Sequence, residues 1–111
     1  MIAAFNGAFQ RRDPEALAPL IAPDCVLENS RPAPNGSRHV GREACLALWQ
    51  GIAENPATRF ELGAVEIFGE RAIIHWRYCW GDREEQSVCG VNLMRVQHGL
   101  IVEGQGFVKG A

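Results

Sequence analysis

The apolar residues of this chain change their spacing at about residue 59, and this change limits the folds available to it. From there onward they recur at every second position, which is typical of strands with two different faces. Turn-forming pairs at Gly69-Glu70, Gly81-Asp82 and His98-Gly99 separate the alternating segments. We therefore predict four consecutive strands: Arg59–Phe68, Arg71–Trp80, Gln86–Val96 and Leu100–Val108.

The first half of the chain has helical spacing instead. Phe5 and Phe9 lie on one stripe with Ile2, and Asp13 with Pro14 resembles the capped start of a second helix. The predicted elements are a helix from Ile2 to Arg11, a helix that begins at Pro14 and stops at Pro23-Asp24, a strand from Cys25 to Asn29, a loop broken by proline and glycine, and a helix from about Arg42 to Glu54. Three helices followed by a curved, mostly antiparallel sheet predict an α+β layer fold.

Composition excludes several classes of protein. The chain has 111 residues, of which 47% are hydrophobic, so we predict one domain over residues 1–111 with a single core. The net charge is −2 and the Lys and Arg residues are scattered, so nucleic acid is not an expected partner. No apolar run approaches the length of a membrane span, and the N-terminus lacks the basic region of a signal peptide. We expect a cytoplasmic protein that does not bind membranes.

The four cysteines show no pattern of a metal site. No C-x-x-C pair occurs, and no histidine lies near a cysteine at zinc-ligand spacing. We interpret them as reduced, mostly buried thiols, and we expect neither a metal nor another cofactor. They are Cys25, Cys45, Cys79 and Cys89.

Three stretches together resemble the SnoaL-like branch of the nuclear transport factor 2-like superfamily. RRDPEALAPLIAPDCVLEN is similar to its second helix and first strand, RHVGREA to the start of its third helix, and GVNLMRVQHGLIVEGQGFVKG to its closing strand pair. The resemblance covers nearly the whole chain. It implies the cystatin-like roll, in which a cone-shaped, mixed but mostly antiparallel sheet wraps around three N-terminal helices and encloses a cavity. Its members include ketosteroid isomerases, limonene epoxide hydrolases and polyketide cyclases, so membership alone does not give the function.

Strand alternation predicts which side chains face that cavity. In Arg71–Trp80 the bulky even-numbered residues share one face, whereas His75, Arg77 and Cys79 lie on the other. We expect the bulky set to face inward, and the resemblance supports the same parity in the following strands. The inward set is Ile74, Trp76, Tyr78, Trp80, Val88, Gly90, Asn92, Met94, Val96, Gly104 and Gly106.

Similarity to ketosteroid isomerases implies three positions of interest. Asn29 and Asn92 fall where those enzymes carry the Asp that moves the proton and the protonated Asp of the oxyanion hole, and Phe5 falls where they carry a Tyr. An amide cannot act as the base, and a phenylalanine ring donates no hydrogen bond. Ketosteroid isomerisation is therefore not expected.

Similarity to limonene epoxide hydrolases is also incomplete. Asn29 matches the Asn that holds the attacking water, but the Asp that activates this water aligns with Gly106. The Arg and Asp that protonate the epoxide align near Trp76 and Tyr78. Epoxide hydrolysis by that mechanism is therefore not expected either.

The remaining candidate groups each have two interpretations. His39 lies in the loop before the third helix, where it would either move protons at the cavity mouth or stabilise the loop. Tyr78 would bind ligand through its hydroxyl or be an ordinary core residue, and Asn29 would line the pocket or form a turn. Trp49, Trp76 and Trp80 suit a flat or apolar ligand as well as a packed core.

These arguments define the candidate site. The candidate catalytic residues are Asn29, His39, Tyr78 and Asn92, and the candidate substrate-binding residues are Phe5, Leu27, Leu48, Trp49, Trp76, Met94 and Gly106. The expected function is binding of a small hydrophobic molecule in an internal apolar cavity, with isomerase, cyclase or hydrolase chemistry as one option. The alternative is a non-catalytic ligand-binding or protein-interaction module.

The expected partners are that small molecule and a second copy of the chain. Gln86–Val96 is apolar on both faces, and three short helices can cover only one face of the sheet. We therefore predict a homodimer packed through the convex sheet face, involving Arg77, Val91 and Leu93.

Overall fold

The structure of this protein, a computed structural model, describes residues 2–109. Its helices are α1 (Ile2–Gln10) and α2 (Arg42–Glu54), with 3-10 helices at Pro14–Leu20 and Glu84–Gln86. Its strands are β1 (Ile21–Asn29), β2 (Ser37–Val40), β3 (Arg59–Phe68), β4 (Arg71–Cys79), β5 (Ser87–Gln97) and β6 (Leu100–Val108). The four strands predicted from residue 59 onward are confirmed to within one residue at each end, and so are the first and third of the three predicted helices.

The six strands form one curved, unclosed sheet with the order β2-β1-β6-β5-β4-β3. Neighbours are antiparallel except β1 and β6, which run parallel. Because β1 inserts beside the last strand of the chain, the sheet brings Asn29 and residues 104–106 onto adjacent strands. The predicted α+β class with a mixed, mostly antiparallel sheet is confirmed.

Two parts of the N-terminal half differ from the prediction. The second helix is a 3-10 helix with Pro19 inside it, and Asp13 makes no side-chain capping hydrogen bond. Ile21 belongs to β1 rather than to that helix, and β2 lies within the predicted loop. Proline within the segment removes a backbone donor and disfavours a regular α-helix, whereas β2 gains its hydrogen bonds from the edge of β1.

The core lies between the helices and one face of the sheet, which is termed the inner face. Phe5 of α1 and Trp49 of α2 pack there against Leu27, Ile74 and Met94. Arg42 fixes the start of α2 to β1, because its Nε donates a hydrogen bond to the carbonyl of Ile21 over 2.8 Å. The opposite face of the sheet, the outer face, has no helix of the described chain on it.

No helix within residues 2–109 is both long enough and apolar enough to cross a membrane.

Candidate functional site

A pocket of about 610 Å³ lies between the helices and the inner face of the sheet. Both helices and five of the six strands contribute to its lining. Its lining residues on the strands include Leu27, Ile74, Trp76, Tyr78, Val88, Asn92, Met94, Gly104 and Gly106, those on the helices include Phe5, Leu48 and Trp49, and Trp80 lines it just beyond the end of β4. The inward parity predicted for β4 therefore agrees with the structure, in which His75 and Arg77 border a groove on the outer face instead.

Aromatic rings form most of one wall of the pocket. The chain has nine aromatic residues, and seven of them line it. Adjacent rings touch edge to face or tilted, with centroid separations from 4.7 Å for Phe5 and Trp49 to 6.4 Å for Tyr78 and Trp80. Phe60 joins the helix side to the sheet side, because it contacts Phe9 at 5.6 Å and Trp76 at 5.7 Å. A flat apolar molecule matches the shape and polarity of such a wall.

Two side-chain amides lie together at the sheet end of the pocket. In the parallel register β1 places Asn29 one residue beyond the pair Glu28–Gln105, next to Gly106, and the antiparallel register of β5 pairs Asn92 with Gly106 directly. A Cβ atom at Gly106 would lie 3.3 Å from Asn92 Oδ1 and 3.6 Å from Asn29 Oδ1. The glycine therefore leaves the space into which both amides extend.

The Trp76 indole is positioned by a second glycine. Trp76 pairs with Gly90 across β4 and β5, and a Cβ atom at Gly90 would collide with the Trp76 ring. The absence of that atom lets the ring lie against β5 and reach the next inward residue of the strand, Asn92. Trp76 Nε1 donates a hydrogen bond to Asn92 Oδ1 over 3.1 Å.

Of the four candidate catalytic residues, the structure brings three into one pocket. Asn29, Tyr78 and Asn92 line it, together with all seven candidate substrate-binding residues. His39 does not, because it lies on the edge strand β2 with its Nε2 at 3.1 Å from Ser37 Oγ. The segment that was predicted to be a loop at the cavity mouth is therefore a strand. Within it His39 pairs with Leu27 of β1, and His39 does not line the pocket.

Sequence reasoning missed several polar residues of the lining, among them Asn6, Gln10 and Arg31. Asn6 is 8% exposed and lies on α1, one turn before Gln10, which also borders the pocket. The helical spacing contained this signal, since Asn6 is four residues after Ile2 and shares its stripe. Arg31 lies in the loop after β1, where no periodicity marks direction.

The pocket contains little ionisable chemistry. Its lining includes three ionisable residues, Glu28, Arg31 and Tyr78. Alternation turns the Glu28 side chain to the outer face, where its Oε1 accepts a hydrogen bond from Gln105 Nε2 over 3.2 Å. Within residues 2–109, no three His, Cys, Asp or Glu side chains are grouped closely enough to hold a metal ion.

None of the four cysteines lines the pocket. Cys25, Cys45 and Cys79 are buried and Cys89 is half-buried, all as free thiols. Burial raises the pKa of Cys25 to about 12, and the neighbouring Cys45 adds to that shift. Burial likewise raises the pKa of Cys45, whose thiol donates to the carbonyl of Cys25 over 3.3 Å. The thiols of Cys25 and Cys45 are therefore protonated and unreactive at neutral pH.

Solved structures of other proteins share this architecture. An NTF2-like protein of unknown function from Mesorhizobium loti is 54% identical, with a TM-score of 0.90 over 98% of this chain and 88% of that one. A candidate ketosteroid isomerase from Kribbella flavida (22% identity, TM-score 0.81, 99% and 76% covered) has the same fold. So does a candidate polyketide cyclase from Sinorhizobium meliloti (22% identity, TM-score 0.76, 96% and 92% covered).

No curated protein matches the chain. The profile of the SnoaL-like domain, in contrast, matches residues 2–104, which is nearly the whole sequence. With the fold, the pocket and this match in agreement, the chain belongs to the SnoaL-like domain family, within the NTF2-like proteins.

Proposed function

We propose that this protein binds a small hydrophobic molecule in the pocket between its helices and the inner face of its sheet. The observation that carries the proposal is the aromatic wall around about 610 Å³ of space, with a few amides at one end. Ligand sites in proteins are commonly about 300–1,000 Å³, mostly apolar, with a small number of placed polar groups. The isomerase-like and cyclase-like neighbours share the fold and support a small organic ligand as the class.

The pocket favours binding over proton transfer by carboxylates. A carboxylate base must reach the ligand, but strand alternation directs the Glu28 side chain towards the outer face, and its Oε1 is hydrogen-bonded by Gln105. Asn29 and Asn92 orient a ligand or a water through hydrogen bonds without exchanging protons. The protein therefore acts first as a receptor for its ligand.

A second candidate function, an isomerase-, cyclase- or hydrolase-type enzyme, is favoured by Tyr78. Its hydroxyl is the one group of the described lining that combines proton donation with a place beside the aromatic wall. In that case Tyr78 moves the proton while the amides hold the substrate. Tyr78→Phe would then abolish turnover of a substrate but leave its binding within about twofold, because the ring and its packing are retained.

Filling the pocket tests the binding proposal. Gly106→Leu would place a side chain between the two amides, whereas Gly51→Leu adds the same side chain on α2 where nothing lies within 4 Å. We expect naphthalene, measured by calorimetric titration, to bind the wild type and Gly51→Leu but not Gly106→Leu. Native mass spectrometry of the purified protein checks in parallel for a retained molecule. Equal affinity of a folded Gly106→Leu variant would contradict the proposal.

A further inference from the structure

Asn6 of α1 is the one polar residue within residues 2–109 that is buried, with 8% of its surface exposed. The buried apolar residues Ile2, Phe5 and Ala8 lie on the same helix. An asparagine there opposes folding in two ways, because burial disfavours an amide without a hydrogen-bond partner and because asparagine forms helices less readily than leucine. Leucine has a side chain of the same branched form and would avoid both effects.

The amide of Asn6 is open to the pocket. It makes no hydrogen bond to any other group of residues 2–109. It is not sealed inside the protein either, since in that part of the chain the one sealed side-chain polar atom without a partner is Arg95 Nε. The accessible space beside Asn6 is the pocket, which this residue lines. Its amide therefore has to find its partner there.

The amides on the sheet differ from Asn6 in this respect. Asn29 Oδ1 accepts a hydrogen bond from the backbone N–H of Ser30 over 2.9 Å. Asn92 Oδ1 accepts one from Trp76 Nε1 over 3.1 Å. Each of these two amides thus has a protein partner that holds it in place, and Asn6 has none among the described residues.

The chemistry of an amide defines the partner that it lacks. Oδ1 of Asn6 is an acceptor and its Nδ2 carries two donor hydrogens, so the complementary group both donates and accepts. Gln10, four residues later on the same side of α1, presents a second amide to the pocket. The aromatic rings of Phe5 and Phe9 lie beside these two amides on the helix. The helix side of the pocket therefore combines apolar surface with an unpaired donor and acceptor.

From these contacts we infer that Asn6 is a ligand-binding residue, and that the apolar ligand of the pocket presents to it a group that both donates and accepts hydrogen bonds, a carboxamide or a hydroxyl. The inference rests on the proposed function, since it specifies the ligand class of the same pocket. It places a specificity-determining contact on α1, in addition to the amides on the sheet.

Two pairs of probes with nearly equal shapes isolate the polar group. 2-Naphthamide is compared with 2-isopropenylnaphthalene, and 2-naphthol with 2-methylnaphthalene, by calorimetric titration of the wild type and of Asn6→Leu. For each pair, the Kd of the hydrocarbon is divided by the Kd of the polar probe. The hydration of each probe is the same in both experiments and cancels when the two proteins are compared. We expect the ratio of at least one pair to be about tenfold lower in Asn6→Leu, the effect of one net hydrogen bond.

Control variants separate this contact from general effects of the substitution. Asn35→Leu makes the same change in an exposed loop outside the lining and should leave both ratios unchanged. Phe9→Leu removes apolar surface from the pocket and should weaken both members of a pair alike. The ligand-free Asn6→Leu protein should have a higher Tm than the wild type, because the variant no longer buries an unpaired amide.

The outcomes distinguish the inference from the proposed function. The pair whose ratio falls further in Asn6→Leu identifies the ligand group as a carboxamide or a hydroxyl. Unchanged ratios for both pairs would overturn the inference while leaving the binding function intact, and a lower Tm of the same variant would then assign the amide to the fold. Failure of all four probes to bind the wild type would contradict the proposed function, and the inference with it.

Discussion

Cys25 lies fully buried on β1, beside the thiol of Cys45. Burial, and then the neighbouring thiol, raise its pKa from 9.0 to about 12. An unfolded chain would release this proton near pH 9, whereas the folded protein keeps it until about pH 12. The stabilising contribution is therefore complete below pH 9 and is lost progressively between these values.

We expect the free energy of unfolding to fall by up to about 1.4 kcal/mol per pH unit above pH 9 because of this thiol. Urea denaturation of the wild type and of Cys25→Ala at several pH values between about 8 and 11 measures it. Cys25→Ala should be less stable at every pH because of the lost packing, but its curve should be flatter. Parallel curves for the two proteins would rule out the assignment.

The pocket should show little pH dependence in binding. His39 lies outside the lining, and strand alternation directs the Glu28 side chain, whose Oε1 accepts a hydrogen bond from Gln105, towards the outer face. We expect the Kd of naphthalene to change by less than about tenfold, or about 1.4 kcal/mol, between pH 5 and pH 8. A larger change that disappears in His39→Ala would show that His39 acts on the pocket after all.

The limits of prediction for single residues follow from these cases. Alternation within a strand is a local property, so it correctly placed Tyr78 and Asn92 in one pocket, whereas only the family resemblance favoured that place for Asn29. The orientation of an amide depends on the donor it meets, and Trp76 is 16 residues from Asn92 in the chain. No local pattern contains that contact. The surroundings of His39 could not be predicted either, because they come from the pairing of β2 with β1.

Strand β5 depends at its centre on a residue without a side chain. Gly90 is buried, and a Cβ atom there would collide with both the Trp76 ring and the carbonyl of Phe107. Gly51, in contrast, lies on the exposed surface of α2 with nothing within 4 Å of the same position. The same substitution should therefore have opposite effects in the two elements.

We expect Gly90→Ala to lower the free energy of unfolding by about 1–3 kcal/mol, as overpacking does. Gly51→Ala should raise it by about 0.5–1 kcal/mol, because alanine favours the helix and restricts the unfolded chain. Chemical denaturation of both variants measures the pair. A neutral Gly90→Ala would mean that the Trp76 ring can move aside at little cost.

The helices and strands that could be predicted from the sequence are those that form because of a local pattern of apolar residues. The strands β3 to β6 have a clear period of two and were predicted almost to the residue. The edge strand β2 was not, because it follows Pro32, Pro34 and Gly36 and acquires its hydrogen bonds only from β1. The 3-10 helix resembles an α-helix in apolar spacing, but Pro19 lies inside it.

At the scale of the whole molecule, the outer face of the sheet has an apolar centre. Val91 and Leu93 of β5 are half-buried there, and Phe107 of β6, which pairs with Val91, is 51% exposed. Around them lie charged and polar side chains such as Arg77, whose Nη1 donates to Ser87 Oγ over 2.8 Å. An apolar centre with a polar rim is typical of a protein–protein interface.

We therefore still expect a homodimer through the outer, convex face. Analytical ultracentrifugation at micromolar concentration should show a dimer for the wild type and a monomer for Val91→Glu, because a charge would be buried at the centre of the interface. Ile67→Glu, on the exposed edge strand β3, is the control and should remain dimeric. A wild-type monomer, or a dimer lost only in Ile67→Glu, would refute this interface.

The parallel pair of β1 and β6 has a consequence for folding kinetics. It joins Glu28 to Gln105, 77 positions apart, whereas β3, β4 and β5 form consecutive hairpin pairs. Closing so long a loop costs chain entropy before any contact repays it, so this pairing should limit the folding rate. Because Asn29 and Asn92 flank β6, the proposed ligand site cannot form until that strand is inserted. In stopped-flow refolding, ligand binding should return with the slowest phase, and earlier binding would contradict this order.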